Sequence, residues 1–270
     1  RFSRMVVAMT VRMPRWFVGW VSRRYVAGPK LEDAVKVMKR LSKEGACFTI
    51  DVLGEEITTM EEAQFFIDEY DRVLDSIVAE KIDANLSIKP TAFGLLIDPI
   101  AAEKSMKNLL HKAASHDVFV RLDMEDHRVT QRTIDLVLSL HQIGLKNVGT
   151  VLQGRLFRTL DDIEHLTEKL GRYADHRICK GIYLESANIA HTEKKTITKA
   201  TNEAIDAMLE SGAYPAIASH DNAVIEHSIS SLKILSSNDI GFKTLKFRAF
   251  ATFETSESFK SAPLLPLLSG

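Results

Sequence analysis

Five stretches of the chain each stop on a polar side chain able to bind or react. Lys89 follows Asn85–Ile88, Asp123 follows Val118–Leu122, Gln153 follows Val148–Leu152, Lys180 follows Arg177–Cys179, and His220 follows Ala216–Ser219. The two ammonium groups could hold an anion or form a Schiff base, and either could equally bridge to a neighbouring acid. A carboxylate at Asp123 could face an amine, while the Gln153 amide offers both a donor and acceptors and needs partners if buried. Arg177 adds a guanidinium that stays charged when partly desolvated and presents a rigid fork of donors. Read alone, it is also a strand-end salt bridge, with Asp123 as the natural partner. His220 could donate a hydrogen bond, ligate a metal or fill a polar corner. Asp123, Glu125, Asp126, His127, His220 and Asp221 supply metal-ligand chemistry, but no two stand at a spacing diagnostic for zinc, and no metal is expected.

Elements that bring these ends together can be read from the pattern. Leu31–Glu44 has Ala34, Val35, Met38 and Leu41 at helical spacing and ends at Gly45. Cys47–Leu53 reads as the first strand. Thr59-Met-Glu-Glu62 is a capping box before a helix carrying Phe66, Tyr70, Val73 and Leu74, and Asp98-Pro99 starts another. Helices are expected at 130–143, 159–170 and 196–210, with Asp126 the cap nearest the first of these. Strand and helix alternate at roughly 30-residue spacing, as consecutive βαβ units do. Parallel strands covered by helices read as short apolar runs, and barrels gather chemistry at the strands' C-terminal ends. A doubly wound sheet would concentrate it at one switch point, and no Gly-x-Gly-x-x-Gly follows any strand. The fold class expected is therefore α/β, a TIM-like βα barrel variant.

Composition narrows the function classes. The 270 residues are 45% hydrophobic with a formal net charge of −1, which suits a globular domain and gives no electrostatic case for nucleic acid. Cys47 and Cys179 lie inside apolar runs, as buried thiols do in a reducing compartment. No stretch reaches the roughly 20 apolar residues of a spanning helix. Residues 1–30 form a basic and aromatic extension with seven Lys/Arg, no acid, and Trp16, Phe17 and Trp20 clustered. It fits a helix packed on the barrel, a membrane-surface helix or a presequence remnant.

The ordered motifs Arg24-Tyr-Val-Ala-Gly28, Thr49-Ile-Asp51-Val-Leu-Gly54-Glu55, Leu86-Ser-Ile-Lys89-Pro-Thr91, Arg121-Leu-Asp123-Met-Glu125-Asp126, Val151-Leu-Gln153, Arg177-Ile-Cys-Lys180-Gly-Ile-Tyr183-Leu-Glu185 and Ala218-Ser-His220 together resemble flavin-dependent proline dehydrogenases. The resemblance runs from about Arg24 to Ser236. It implies FAD on the C-terminal face of a variant βα barrel, oxidation of L-proline to 1-pyrroline-5-carboxylate, and electrons passed to a quinone. It implies catalytic roles for Asp123 and Arg177, substrate-carboxylate binding by Lys89, and FAD contacts by Met124, Gln153, Lys180, Gly181, Ile182, Ser219 and His220. Ile182 and Ser219 stand where the family usually has Ala and Thr. The expected location is the cytoplasm, with peripheral contact at the inner membrane.

The barrel domain is expected over 31–236, followed by a divergent tail, 237–270. Leu245–Phe253 alternates as one strand and is expected in the seventh place, leaving the barrel short of its last one or two βα units. The tail contains neither the tyrosine nor the adjacent arginine pair that the family uses to clamp the proline carboxylate. The resemblance therefore implies a truncated or frameshifted member with impaired turnover. Two other classes fit the residues: a Schiff-base lyase or aldolase using Lys89 or Lys180, and a non-catalytic remnant whose open sheet edge pairs with another chain.

Overall fold

The computed structural model describes residues 30–54, 57–237 and 248–253. The N-terminal extension and most of the tail therefore lie outside the described residues. The elements are α1 (Leu31–Ser42), β1 (Cys47–Val52), α2 (Met60–Ala79), β2 (Ala84–Ile88), α3 (Pro99–Ser115), β3 (Val120–Leu122), α4 (His127–Gln142), β4 (Val148–Gln153), α5 (Thr159–Leu170), β5 (Asp175–Cys179), α6 (Lys194–Ser211), β6 (Tyr214–Ile217), α7 (Asn222–Ser237) and β7 (Arg248–Phe253).

Local chemistry sets the helix starts. At α2, Thr59 Oγ1 accepts from the Glu62 N–H at 3.3 Å while Glu62 Oε2 accepts from the Thr59 N–H, so two otherwise unpaired donors are satisfied reciprocally. At α3, Asp98 Oδ1 accepts from the N–H groups of Ile100 and Ala101, and Pro99 occupies the first helical position. Asp126 caps α4 through the Arg128 N–H at 2.9 Å. That helix thus begins at His127, three residues before the Thr130 expected from apolar spacing.

All seven strands pair in parallel in the order β6-β5-β4-β3-β2-β1-β7. One expectation is corrected: β7 does not take the seventh place beside β6. It pairs with β1 instead, Cys47 opposite Arg248 through Val52 opposite Phe253. Among the described residues no pairing joins β6 to β7, so the curled sheet is a barrel open at that point.

The strands are also less uniformly apolar than the sequence suggested. Phe48, Ile50 and Val52 of β1, Leu86 and Ile88 of β2, Val120 and Leu122 of β3, and Ile178 of β5 are buried in one core with Tyr70, Val73, Leu110 and Val137 from the helices. Alternate residues along a strand point to opposite faces. The second face therefore carries Thr49, Asp51, Asn85, Ser87, Arg121, Gln153 and Arg177, all buried. Gly149 on β4 permits close strand approach, since a Cβ there would sit 2.1 Å from the Asp175 carbonyl oxygen. Among the described residues no helix is long and apolar enough to cross a membrane.

Candidate active site

Register places the polar face in layers. Asp51 lies opposite Ser87, Ser87 opposite Arg121, Val151 opposite Arg177, and Gln153 opposite Cys179. Toward the N-terminal ends, Arg121 fills the interior by donating to the Thr150 and Asp175 carbonyls and pairing with the Asp175 carboxylate at 2.6 Å. One layer further along, Arg177 Nη1 donates to Ser87 Oγ at 3.0 Å and to Asp123 Oδ1 at 3.1 Å. Ser87 Oγ in turn donates to the same Asp123 oxygen. Beside this triangle, Lys89 Nζ pairs with Asp51 Oδ2 at 2.9 Å. The Tyr70 hydroxyl reaches in from α2, within hydrogen-bond distance of Asp51 Oδ1 and the Ser87 carbonyl.

Four charges of alternating sign thus stand in a confined space, and burial governs them. Desolvation pushes the Asp123 carboxyl above its usual range, with Arg177 pulling the other way and Asp51 reinforcing the rise. The same desolvation lowers Arg177 from the ordinary guanidinium value, opposed by Asp123. Tyr70 is driven well upward by burial and by the Asp51 charge, which keeps its proton on the phenol as a donor. A buried cation–anion pair repays its desolvation only when further hydrogen bonds complete it, and Ser87 supplies those for Asp123 and Arg177.

Above the triangle lies a rim of partly committed polar groups. Gln153 is 2% exposed and its Nε2 donates to the Met124 and Glu125 carbonyls at 3.2 and 3.0 Å. Those bonds fix the amide orientation and leave Oε1 buried without a donor. Gly181 stands directly against that oxygen at φ +92°, and a Cβ there would approach it to 2.4 Å. Buried polar atoms ordinarily have a partner, so this oxygen is an unsatisfied acceptor of the rim. Lys180 pairs with Asp221, whose carboxyl is held below its usual range chiefly by that contact. Ser219 Oγ accepts from the Asp221 N–H at 3.1 Å, and His220 is exposed at the end of β6. Ile182 is 77% exposed on the loop after β5. Behind it, Glu185 accepts from the His127 N–H and meets the His127 ring.

The fold therefore gathers Lys89, Asp123, Met124, Gln153, Arg177, Lys180 and Gly181 at the C-terminal ends of β2 to β5. Ser219 and His220 follow β6 at the edge of the same rim. Both lysines, read from sequence as anion binders or acid bridges, bond to acids here. Three members of the network were not singled out from sequence: Asp51, Tyr70 and Ser87. Asp51 and Ser87 had a signal, since a carboxylate and a hydroxyl interrupt otherwise apolar strands. Tyr70 had none, because its place on an apolar helix face accounts for it fully. Among the described residues no three acidic, His or Cys side chains gather as a metal site would need. The surface hollow lined by Phe119, Leu145 and Asn147 lies at the opposite end of the strands.

A profile of the proline dehydrogenase family matches residues 34–246. Proline dehydrogenase 1 of Bacillus subtilis subsp. natto is 34% identical over 205 residues, which cover 76% of this chain and 67% of that protein. Proline dehydrogenase of Deinococcus radiodurans is 29% identical over 228 residues, 83% of this chain and 72% of the relative. Among solved structures, proline utilization A from Bdellovibrio bacteriovorus inactivated by N-propargylglycine superposes with a TM-score of 0.76 at 20% identity. That match covers 87% of this chain and 31% of the larger protein, and it supports the TIM-like barrel fold. The chain spans about two thirds of the curated relatives' length and under a third of the proline utilization A chain. With the profile covering most of its length and a 34% identical relative, the chain belongs to the proline dehydrogenase family of oxidoreductases.

Proposed function

We propose that this chain oxidises L-proline to 1-pyrroline-5-carboxylate using FAD, with electrons delivered onward to a quinone. The observation that carries the proposal is the buried Arg177–Ser87–Asp123 triangle beneath the unpartnered Gln153 acceptor, in a chain of this family. FAD, when bound, supplies the two-electron acceptor for the hydride that leaves the ring carbon attached to nitrogen. The residues present fit such a group: a buried acceptor without a donor, a glycine that keeps space beside it, and cations at Arg177 and Lys180. Met124, Gln153, Lys180, Gly181, Ile182, Ser219 and His220 would hold it.

Arg177 offers fixed positive charge where negative charge develops, and its burial strengthens that effect. Asp123 orients the substrate amine and keeps Arg177 in place; once the ammonium form has given a proton to solvent, loss of hydride from the ring carbon leaves an iminium cation that an ionised Asp123 stabilises. Lys89 would meet the substrate carboxylate by partly releasing Asp51. Contact of Trp16, Phe17 and Trp20 with a membrane surface, where a quinone resides, belongs to the same proposal.

The test is anaerobic addition of proline to the purified chain loaded with FAD. Bleaching of the oxidised flavin band, with pyrroline-5-carboxylate trapped by an aldehyde reagent, supports the reading. Failure to retain FAD, or a flavin band indifferent to proline at high concentration, overturns it. The Schiff-base alternative is weaker than the sequence allowed, because Lys89 and Lys180 each contact a carboxylate rather than the apolar or cationic surroundings that free an amine for attack.

A further inference from the structure

Ser87 is fully buried in the middle of β2. Its neighbours along the strand, Leu86 and Ile88, serve the helix-facing core, so an apolar residue at 87 would be the simplest choice for a stable sheet. A hydroxyl stands there instead. It accepts from Arg177 Nη1 at 3.0 Å and donates to Asp123 Oδ1 at 2.5 Å. A hydroxyl has one proton, so accepting from a guanidinium and donating to Asp123 Oδ1 requires that oxygen to carry no proton, as it does in the carboxylate. From the rear, the Ser87 carbonyl is itself held by the Tyr70 hydroxyl at 2.8 Å, which anchors the strand at this residue. Ser87 Oγ and Arg177 Nη1 both donate to Oδ1 of Asp123, leaving Oδ2 as the oxygen for a ligand.

We propose that Ser87 is a positioning residue of the reaction: its hydroxyl locks the Asp123 carboxylate and the Arg177 guanidinium against each other, keeping the acid ionised and the cation aimed. The inference rests on the proline-oxidation reading and assigns a role that the family resemblance did not place on this position. Burial works against the charge on Asp123, and the Ser87 bond is one of the interactions that offset it. The groups facing Asp123 are Asp51 from β1, Tyr70 from α2, Lys89 after β2, Arg177 and the Cys179 thiol from β5. Tyr70 and Cys179 stay protonated, burial raising the latter to about 11, so neither changes charge in the range where Asp123 titrates.

The experiment titrates Asp123 directly. The purified full chain is labelled with carboxyl-13C aspartate, and the Asp123 resonance is assigned by its loss in Asp123→Asn. Ser87→Ala should move its midpoint up by about one pH unit, a tenfold change in proton affinity. Ser87→Cys, of similar size and a weaker donor, should fall between, and it carries the comparison should the alanine variant not fold. In proline-dependent dye reduction, the acid limb of kcat/KM should move up by the same amount, because the reaction needs the ionised acid. A purely structural serine would lower activity or melting temperature without moving either midpoint. An unmoved Asp123 midpoint in a folded Ser87→Ala or Ser87→Cys protein overturns the proposal. If the parent chain does not reduce dye with proline, the activity assignment falls, while the midpoint of the carboxyl titration still decides whether Ser87 holds Asp123 ionised.

Discussion

His176 sits on β5 next to Arg177 but faces the helices, with no solvent exposure. Neither ring nitrogen makes a well-formed hydrogen bond, the Asp175 backbone giving only weak compensation. Burial, aided by the charges of Arg121 and His141, drives its pKa down to about 3 from 6.5. The consequence for stability has a definite sign. Between pH 6.5 and about 3 the unfolded chain binds a proton at this position and the folded chain does not, so stability falls as pH falls through that window. At pH 5 the unfolded state is favoured by RT ln(1 + 10^1.5), about 2 kcal/mol, against about 0.2 kcal/mol at pH 7. Domains of this kind have total stabilities of roughly 5–15 kcal/mol, so the effect is large. His141, whose pKa burial also lowers, adds to it. Asp123 opposes it, because an acid raised in the folded state takes up its proton there first. His176→Phe isolates the contribution. Urea unfolding near pH 7.5 and pH 5 gives one difference for each protein, and any packing cost of phenylalanine cancels within the variant's own pair. The variant should lose about 2 kcal/mol less than the parent on acidification. Equal losses in the two proteins would refute the account of a neutral, uncompensated histidine.

Gly181→Ala should weaken FAD binding at least tenfold, since the new methyl would meet Gln153 Oε1 at 2.4 Å and the backbone there, at φ +92°, strains any side chain. Flavin retained through a desalting column, or quenching in a fluorescence titration, measures this, and unchanged retention would contradict the proposed cradle. Arg177→Lys keeps the charge but loses the rigid planar Nη1 that donates to both Ser87 Oγ and Asp123 Oδ1. Anaerobic flavin reduction at saturating proline should slow about a hundredfold, on the scale of losing one preorganised donor, and a fall under threefold would count against Arg177 as the charge-stabilising group.

What the sequence revealed divides along the distance between interacting residues. The Thr59 capping box and the Asp98-Pro99 start are encoded within four residues, and both stand in the structure as read. Gln153 closes β4 as expected, because the run before it ends abruptly. The network around Asp123 was much less legible. Ser87 and Arg177 are 90 residues apart, Lys89 and Asp51 are 38 apart, and Lys180 and Asp221 are 41 apart. Their meeting depends on strand order and register, which periodicity alone does not supply. The same limit governs β7: alternation could show that 245–253 is strand-like, yet only pairing with β1 decides which edge it joins. The start of α4 was missed for another reason. His127 and Arg128 are polar, so the apolar pattern began only at Val129, although the cap at Asp126 marked the true boundary.

The strand period of two connects these observations into one design. On β1 to β5, one residue of each successive pair packs against the helices and supplies the apolar core that holds the sheet. The other faces the interior, where Asp51, Ser87, Arg121 and Arg177 are buried at a desolvation cost that aliphatic side chains would not carry. Desolvation moves Asp123 up and Arg177 down, and their mutual attraction opposes both shifts, with the Ser87 hydrogen bond adding to it at Asp123. A chain selected only to fold would lose these groups. Because a single-residue slip would exchange the two faces, the register that buries Phe48, Ile50 and Leu86 is also what sets the charges opposite one another. Stability and chemistry are therefore coupled through the sheet. A substitution that disturbs the pairing of β1 with β2 should damage the site even where it touches none of the charged residues.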